Sequence, residues 1–464
     1  MCFKKFIMIK LLIIALLLPL AVQADEKVDE NALFADSSSL VDSAKVVNTQ
    51  VAKSGAEEKK GVGFSGTVYA YGNPSLGRTW FDSPAILNAS FDSRIVGNAF
   101  IDVRLIGGAK AFADLQSAFV PTPSFASLDP SNLGRPDSGM VFDAPELFVD
   151  ANIKKNAYFR AGKQVLQWGP CNFWNPTDLV NVEHKTFLLK QGQREGTYGL
   201  KIHVPYKTLF NFYSFIDANN AATIDSLAAA VKAEVLLGRT EMALSAWGKK
   251  GKIPVVGYDL TSQLFNVQIA AEASLRNGCD MVTLDSTLSN MTTLGNRWFP
   301  RIALGLTKFM PLAGVADRLT LSAELYYNHA GYDTNFFNNP AVIRNIHPTL
   351  PLDTAQRHAD LLRMPWLADP LNFSRLYEPN SYSKYYAAIF GSISRFILDD
   401  MTFSCNAIGN LQQKCFVVST GVDYQSLNDF VFGVSLNAFL GPKNTEYTFS
   451  GNGLMVQLRT GIIF

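Results

Sequence analysis

The last eleven residues of the chain, 454–464, alternate between two kinds of side chain up to the final residue. One face carries Leu454, Val456, Leu458, Thr460, Ile462 and Phe464, and the other carries Gln457, Arg459 and Gly461, with Met455 and Ile463 at its ends. This period of two predicts a β-strand with one apolar face. Chain ends usually fray, so a strand that is apolar to its last residue needs neighbouring strands that hold it.

A closed β-barrel supplies that neighbour, because its last strand pairs with the first. The segment resembles the carboxy-terminal assembly signal of outer-membrane β-barrels, in which a terminal aromatic residue such as Phe464 is typical. The resemblance implies that the barrel-assembly machinery recognises this strand as a partner. The alternative is an ordinary buried strand at the end of a soluble domain.

The amino terminus has the pattern of an export signal. Lys4, Lys5 and Lys10 precede an apolar run over 11–20, and small residues lead to a cleavage point before Asp25. The run is shorter than the ~20 apolar residues of a spanning helix. We therefore predict a signal peptide over 1–24 and exclude it from the fold.

The rest of the chain is rich in apolar residues yet has no long apolar run. Hydrophobic residues make up 48% and aromatic residues 12% of the sequence, whereas charged residues make up only 17%, below the usual ~25%. Apolar residues must therefore alternate with polar ones, as they do in a barrel with lipid outside and water inside. Acids and bases are nearly balanced, which gives no argument for a nucleic-acid partner.

Residues 25–61 are small and polar and end in a charged run over 57–60. We interpret 25–61 as a periplasmic linker and 62–464 as the barrel. Beyond the signal peptide the cysteines are Cys171, Cys279, Cys405 and Cys415, and their spacing suggests no metal site. Cys405 and Cys415 flank a predicted tight loop, so they either form a disulfide across two strands or are two small apolar side chains.

From residue 62 onward the sequence predicts an all-β fold, a transmembrane antiparallel β-barrel of about 18 strands (16–18). The predicted strands are 62–73, 94–105, 108–120, 142–153, 156–165, 195–204, 207–216, 226–236, 239–248, 252–260, 264–276, 298–308, 318–327, 382–395, 399–406, 411–420, 426–440 and 453–464. Long gaps fall mainly after odd strands and tight gaps after even ones, with 309–317 a medium even gap. This sorting is typical of outer-membrane barrels, with long extracellular loops and short periplasmic turns.

A barrel of 16 to 18 strands leaves an aqueous lumen. Polar residues opposite the apolar face of each strand should line it. The candidates are Asp102, Arg104, Asp114, Glu146, Asp150, Arg160, Gln164, Lys201, Glu272, Arg301, Glu324 and Arg459. Such charges either select solutes by their field or simply pair across strands and keep the interior wet.

The segment 160–179 runs from the fifth strand into a loop over 166–194 and contains Gly169, Pro170 and Pro176, which favour turns. Its Gly-Lys-Gln…Trp-Gly…Asn-Pro…Asp-Leu pattern resembles a stretch in alginate-export-like porins. The resemblance implies a diffusion or export channel in which Arg160, Lys163 and Gln164 line the pore and 168–178 narrows it. The candidate constriction residues are Trp168, Phe173, Trp174 and Asp178. The alternative is an aromatic girdle with an extracellular cap.

The sequence thus favours an integral outer-membrane channel for diffusion or export of small polar or anionic solutes. The outer face would contact outer-membrane lipid, and its apolar surface also suits an oligomer. No cofactor is expected, and an enzyme is not expected because no Gly-x-Ser-x-Gly elbow occurs and most histidines fall in loops. Two alternatives are a surface adhesin or polysaccharide anchor with a blocked lumen, and a transporter of hydrophobic compounds plugged by 25–61.

Overall fold

The structure is a computed structural model of the chain. It describes residues 61–77, 88–105, 108–120, 139–180, 196–207, 209–219, 221–346, 354–368, 370–426, 429–449 and 452–464. The predicted signal peptide and all of the predicted linker except Gly61 lie outside the described residues. Within the described part, no helix is both long enough and apolar enough to cross a membrane.

Eighteen antiparallel strands form one continuous sheet that closes on itself, which confirms the predicted fold class and strand number. A separate hairpin, β12 (Val282–Leu284) with β13 (Met291–Thr293), lies in one of the connections. The barrel strands are β1 (Gly61–Gly77), β2 (Asn88–Arg104), β3 (Lys110–Val120), β4 (Gly139–Ile153), β5 (Ala157–Gln164), β6 (Thr197–Tyr206), β7 (Phe210–Asp217), β8 (Ala228–Leu237), β9 (Thr240–Lys249), β10 (Val255–Leu264), β11 (Val267–Asn277), β14 (Trp298–Leu312), β15 (Val315–Asn328), β16 (Tyr385–Ser394), β17 (Met401–Asn410), β18 (Cys415–Gln425), β19 (Phe430–Leu440) and β20 (Asn452–Ile463).

The last strand closes the barrel by pairing with the first. Thr67 lies opposite Ile463, and Phe464 continues the ladder, because its N–H donates to Gly66 O at 2.9 Å and its carbonyl accepts from Gly66 N at 2.6 Å. A Cβ on Gly66 would lie only 2.7 Å from the Phe464 ring. A glycine at this position therefore leaves room for the terminal aromatic ring beside β1.

The outer face of the barrel carries exposed apolar side chains. Large apolar side chains alternate along the strands with inward residues, and cross-strand partners share a face. Exposed examples are Leu147, Val149, Leu304, Leu325, Ile389 and Leu436. The interior is therefore lined by the residues of opposite parity, many of them polar.

The two ends of the barrel differ in their connections. At one end, here called the tight-turn end, short turns join the even strands to their successors, including two-residue turns at 265–266 and 313–314. Phe265 and Asn266 both have positive φ, as do Ala313 and Gly314, which is the geometry of hairpin turns that match strand twist. The prediction of a medium gap over 309–317 is wrong, since β14 and β15 extend to this turn.

The other end, the long-loop end, carries connections with their own packed core. The connection between β15 and β16 contains helices Pro340–Ile346, Thr354–Arg363 and Pro370–Leu376. Its buried aromatic residues pack against Leu284 of the β12–β13 hairpin and Phe449 of the connection before β20. We call this set of loops the loop cap, with the buried core Leu284, Phe336, Phe337, Ala341, Val342, Met364, Trp366, Phe373, Leu376, Tyr377, Tyr382 and Phe449.

Cys405 and Cys415 are both free thiols, so they do not form the disulfide that the sequence left open. Cys405 lies opposite Thr420, whereas Cys415 lies opposite Asn410. Cys405 is exposed and Cys415 is buried. The two residues therefore occupy different levels of neighbouring strands and cannot bridge.

Candidate functional site

The segment that follows β5 turns into the barrel and crosses its interior. We call residues 165–180 the inward loop. Its Cys171 and Trp174 belong to one buried cluster with inward-facing residues of β11, β14, β15 and β16, far around the wall from β5. The Asp178 N–H donates to Asn175 O at 3.1 Å and closes a turn around Pro176. The turn-forming residues seen in the sequence thus fold this loop back on itself inside the lumen.

Glu272, on the inner face of β11, binds one turn of the inward loop. Its Oε1 accepts from Cys171 N at 2.7 Å and from Asn175 Nδ2 at 3.1 Å. Its Oε2 accepts from Thr177 N at 3.1 Å and from Thr177 Oγ1 at 2.7 Å. The side chain is only 1% exposed, so four hydrogen bonds from the loop replace the water that the carboxylate would otherwise bind.

Glu324, on the inner face of β15, binds the adjacent turn in the same way. Its Oε1 accepts from Asn172 N at 2.5 Å and Phe173 N at 3.1 Å, and its Oε2 accepts from Phe173 N at 3.0 Å and Trp174 N at 3.2 Å. Three successive backbone N–H groups therefore surround one buried carboxylate. Such an arrangement of N–H groups is a concave anion site, and here the anion belongs to the barrel wall.

Gly169 allows the close approach of the loop to β11. A Cβ at this position would lie 2.4 Å from Glu272 Oε2 and 2.5 Å from Glu272 Oε1. Because that carboxylate is fixed by four hydrogen bonds, it could not move aside without losing some of them. The glycine is therefore required by space rather than by backbone conformation.

Aromatic contacts fix the tip of the inward loop. The Trp174 indole stacks on Tyr326 of β15, with ring centroids 5.4 Å apart and planes 4° apart, and its Nε1 donates to Asn380 O at 2.8 Å. The Phe173 ring lies 6.0 Å from the Phe390 ring on β16. These contacts attach the loop to the wall opposite its origin and to the loop cap.

The base of the inward loop is held by a buried charge. Lys232 of β8 is 4% exposed, and its Nζ donates to Trp168 O at 2.5 Å. The same Nζ lies 3.0 Å from Glu234 Oε1 and 3.5 Å from Asp259 Oδ2. The ammonium therefore has two carboxylate partners that compensate for its burial.

A small cavity, partly open to solvent, lies beside the inward loop. Arg276 and Arg301 line it together with Glu378, and Arg301 Nη2 lies 2.8 Å from Glu378 Oε2. Phe173, Trp174, Asp178 and Tyr326 complete part of the lining. The cavity thus has a lining of mixed charge beside the inward loop.

Four of the twelve candidate lining residues lie at the inward loop. Glu272, Arg301 and Glu324 come together at its far side, and Glu146 accepts from Val165 N at its start. The other eight lie elsewhere on the wall. Asp102 pairs with Lys110 and Arg104, Asp114 accepts from Asn98, and Asp150 pairs with Arg160. Gln164 is fully buried and donates to Arg160 O and Gly199 O, Lys201 lies over the Tyr213 ring, and Arg459 pairs with Asp423. Lys163, implied by the resemblance, pairs with Asp143 at 3.2 Å.

The constriction candidates Trp168, Phe173, Trp174 and Asp178 all lie in the inward loop inside the barrel, and Trp168 and Trp174 are buried. Sequence reasoning missed Asp259, Arg276 and Glu378, whereas Lys232 was expected on the inner face by its parity on the strand. The signal for Arg276 was present, because it shares the parity of Glu272 on β11. Glu378 lies in a long loop, where no periodicity reports which way a side chain points.

The loop cap contains a buried carboxylate above the barrel. Glu446 is 2% exposed and accepts from Tyr386 Oη at 2.7 Å, Asn410 Nδ2 at 2.7 Å and Asn380 N at 2.8 Å. Burial raises the pKa of Glu446 to about 7, although these three donors oppose the shift. This group therefore changes its charge near neutral pH.

No family model and no curated protein matches the chain, so the resemblance to alginate-export-like porins is not confirmed. Solved barrels do match its fold. Pseudomonas aeruginosa OccK9 (OpdG) has 9% identity and a TM-score of 0.51 over 88% of this chain and 98% of its own. Pseudomonas aeruginosa OccK8 (OprE) has 8% identity and a TM-score of 0.50 over 87% of this chain and 98% of its own. These similarities show a shared barrel fold.

Proposed function

We propose that the chain is an integral outer-membrane channel through which small polar solutes diffuse, and that the inward loop narrows its water-filled lumen. The observation that supports this most is the attachment of that loop to Glu272 and Glu324. A loop that serves only as an external cap would not need two buried carboxylates on the far wall. A barrel of 18 strands is wide enough to leave an aqueous space around such a loop.

The outer and inner faces of the wall support a membrane location. The exposed side chains of Leu147, Leu304 and Ile389 belong to an apolar outer surface, while charged groups such as Asp150 and Arg160 pair on the inner face. A soluble protein rarely exposes so large an apolar surface. We assign the tight-turn end to the periplasm and the loop cap to the exterior, by the usual asymmetry of such barrels.

The carboxy-terminal strand is the proposed contact for the assembly machinery. Phe464 continues the ladder that closes the barrel and its ring is 55% exposed on the outer face. Before closure, β20 would present an unpaired edge, which is the form in which one chain adds a strand to another.

A planar lipid bilayer tests the channel directly. Purified full-length protein should insert and give stepwise, steady ion currents over a range of voltages. Absence of current steps from protein that is shown to be folded by its heat-dependent shift on a gel would contradict the proposal and favour a blocked barrel that acts as an adhesin.

A further inference from the structure

Four exposed cations lie on three neighbouring turns of the tight-turn end, which we call the cationic turns. The turns join β4 to β5, β6 to β7 and β8 to β9, and they span 154–156, 207–209 and 238–239. Their sequences contain no acidic residue, and their cations are Lys154, Lys155, Lys207 and Arg239. Adjacent strands of a sheet lie about 4.8 Å apart, so the three turns cover roughly 20 Å of the barrel rim.

The opposite side of the same end carries the opposite charge. In the turn between β16 and β17, Asp399 and Asp400 outnumber Arg395, and Asp429 lies in the turn between β18 and β19. Counted around the 18-stranded sheet, these two turns lie across the barrel from the cationic turns. The tight-turn end therefore has a cationic side and an acidic side, although acids and bases are nearly balanced in the whole chain.

Each cationic turn follows directly on the apolar outer face of a strand. By the alternation of β4, β6 and β8, the last outward-facing residues before the three turns are Ile153, Tyr206 and Leu237, and all three are exposed. The Lys207 ammonium lies 5.6 Å from the centre of the Tyr206 ring. The cations therefore lie at the border where the apolar outer surface ends, the level at which long cationic side chains reach from an apolar surface into a polar layer.

The acidic residues nearest to the cationic turns along these strands face the lumen. Asp150 on β4 alternates with the exposed Val149 and pairs with Arg160 on the inner face. Glu241 on β9 shares the parity of the buried Ala243 and therefore also faces inward. These carboxylates contribute to the charge of the inner wall, so the outer rim of this sector keeps a positive charge.

We propose that the cationic turns bind the phosphate headgroups of anionic phospholipids in the leaflet that surrounds the tight-turn end. The apolar residues beside the turns contact the acyl chains, and the cations lie at the level of the headgroups, where each Lys or Arg is attracted to an anionic surface. A soluble partner would meet the same charges but would not gain the apolar contact. This inference rests on the proposed membrane location, with the tight-turn end at the periplasmic leaflet.

The geometry of the turns allows their charge to be removed without loss of the fold. Lys154, Lys155 and Lys207 all have positive φ, a conformation that Asn adopts at less cost. The test variant is therefore Lys154→Asn/Lys155→Asn/Lys207→Asn. The matched control removes the same charge from exposed turns of the long-loop end and is Lys250→Asn/Lys252→Asn/Lys414→Asn.

Mass spectrometry of folded, full-length protein released from a neutral detergent counts the lipids that stay bound. Titration of the wild type should show tighter binding of dioleoyl phosphatidylglycerol than of dioleoyl phosphatidylcholine, which has the same acyl chains and no net charge. One cation near an anionic surface strengthens binding about fivefold, so the test variant should lose roughly tenfold or more in affinity for phosphatidylglycerol. The control variant should bind both lipids as the wild type does.

Equal affinity of the wild type for the two lipids, or equal losses in the two variants, would overturn the headgroup site, whereas the ion currents of the channel are measured separately and would stand. Glycerol phosphate at equal concentration should not displace the lipid, and displacement would assign the cations to a soluble anion instead. Sedimentation with purified peptidoglycan that depends on the three lysines, without a preference between the lipids, would assign them to the cell wall. A mature chain that is soluble without detergent would contradict the membrane location itself.

Discussion

The indole of Trp174 lies parallel to the phenol ring of Tyr326, with centroids 5.4 Å apart and planes 4° apart. Trp174 belongs to the loop after β5, and Tyr326 belongs to β15, so the stack joins two elements that are separated around the barrel wall. Together with the hydrogen bonds of Glu272 and Glu324 it fixes the inward loop across the lumen.

Removal of the Glu272 carboxylate should release one side of the inward loop. In Glu272→Ala, the N–H groups of Cys171 and Thr177 lose their acceptor, and each charge-assisted bond contributes roughly 1.5–3 kcal/mol. We expect the inward loop to detach from β11 and the single-channel conductance to rise. Gln268→Ala, on the same face of β11, is the control. Equal conductance in Glu272→Ala and the wild type would show that the loop does not limit the current.

Gly169→Ala should produce a similar but smaller change. The added Cβ would lie 2.4 Å from Glu272 Oε2, so the carboxylate and the loop must separate, at a cost of about 1–3 kcal/mol. The variant should show more frequent transitions to a higher conductance. Gly248→Ala is the matched control, since a Cβ there has no heavy atom within 4 Å. A Gly169→Ala channel as steady as the control would argue against this close contact.

The ion pair beside the loop should set part of the charge selectivity. Arg301 Nη2 lies 2.8 Å from Glu378 Oε2 in the lining of the cavity. In Glu378→Gln the Arg301 charge loses its partner, so the permeability of anions relative to cations should rise about twofold or more. Reversal potentials in a salt gradient measure this ratio.

Asp225→Asn is the control for that experiment, because it removes a carboxylate from an exposed pair with Lys250. Exposed pairs are screened by salt and water. A selectivity change of equal size in Asp225→Asn would mean that surface charge in general, rather than the cavity pair, determines the reversal potential.

The loop cap should be more stable in acid than at neutral pH. Burial raises the pKa of Glu446 to about 7 in the folded protein, above its value near 4.3 in an unfolded chain. The folded form therefore binds the proton more tightly, and the resulting stabilisation is complete below about pH 4.3 and is lost as the pH rises through about 7. Limited proteolysis of the cap should accelerate over this interval. In Glu446→Gln the rate of proteolysis should depend less on pH. If the rate in this variant still rises as steeply with pH, Glu446 is not the group that causes the rise.

Closure of the barrel should depend on the absence of a side chain at Gly66. A Cβ there would lie 2.7 Å from the Phe464 ring and 2.8 Å from Asn98 O, and the backbone atom cannot rotate away. Gly66→Ala should lower the temperature at which the folded gel band disappears. Gly63→Ala is the matched control on β1, with contacts of 3.7 Å or more. Similar transition temperatures in the two variants would show that the pairing of β1 with β20 tolerates the added Cβ atom.

Much of the barrel could be predicted from the sequence because alternation is a local property. Each of the eighteen predicted strands corresponds to an observed strand, and Leu304, Leu325 and Phe464 point outward as their period of two requires. The predicted strand boundaries were less accurate where the residues of a turn continue the apolar pattern of the strands beside it. The turn at Ala313 and Gly314 is flanked by the apolar residues Leu312 and Val315, so no change in polarity marks where strand gives way to turn within 309–317.

The site was predictable only in part. Glu272 and Glu324 could be assigned to the inner face by parity, but their bonds to Thr177 and Phe173 join residues far apart in sequence. No local pattern reports such a pairing. Glu446 and Glu378 lie in loops whose course depends on the packing of the cap, and therefore no periodicity indicated their burial or their partners.

The most direct test of the central claim is the single-channel conductance of a protein in which residues 168–178 are replaced by a short Gly/Ser linker. This replacement removes every loop group that Glu272 and Glu324 bind, while the strands and their tight turns remain. A loop that narrows an aqueous lumen predicts a clear rise in conductance from folded, heat-modifiable protein. A conductance equal to that of the wild type would contradict the account.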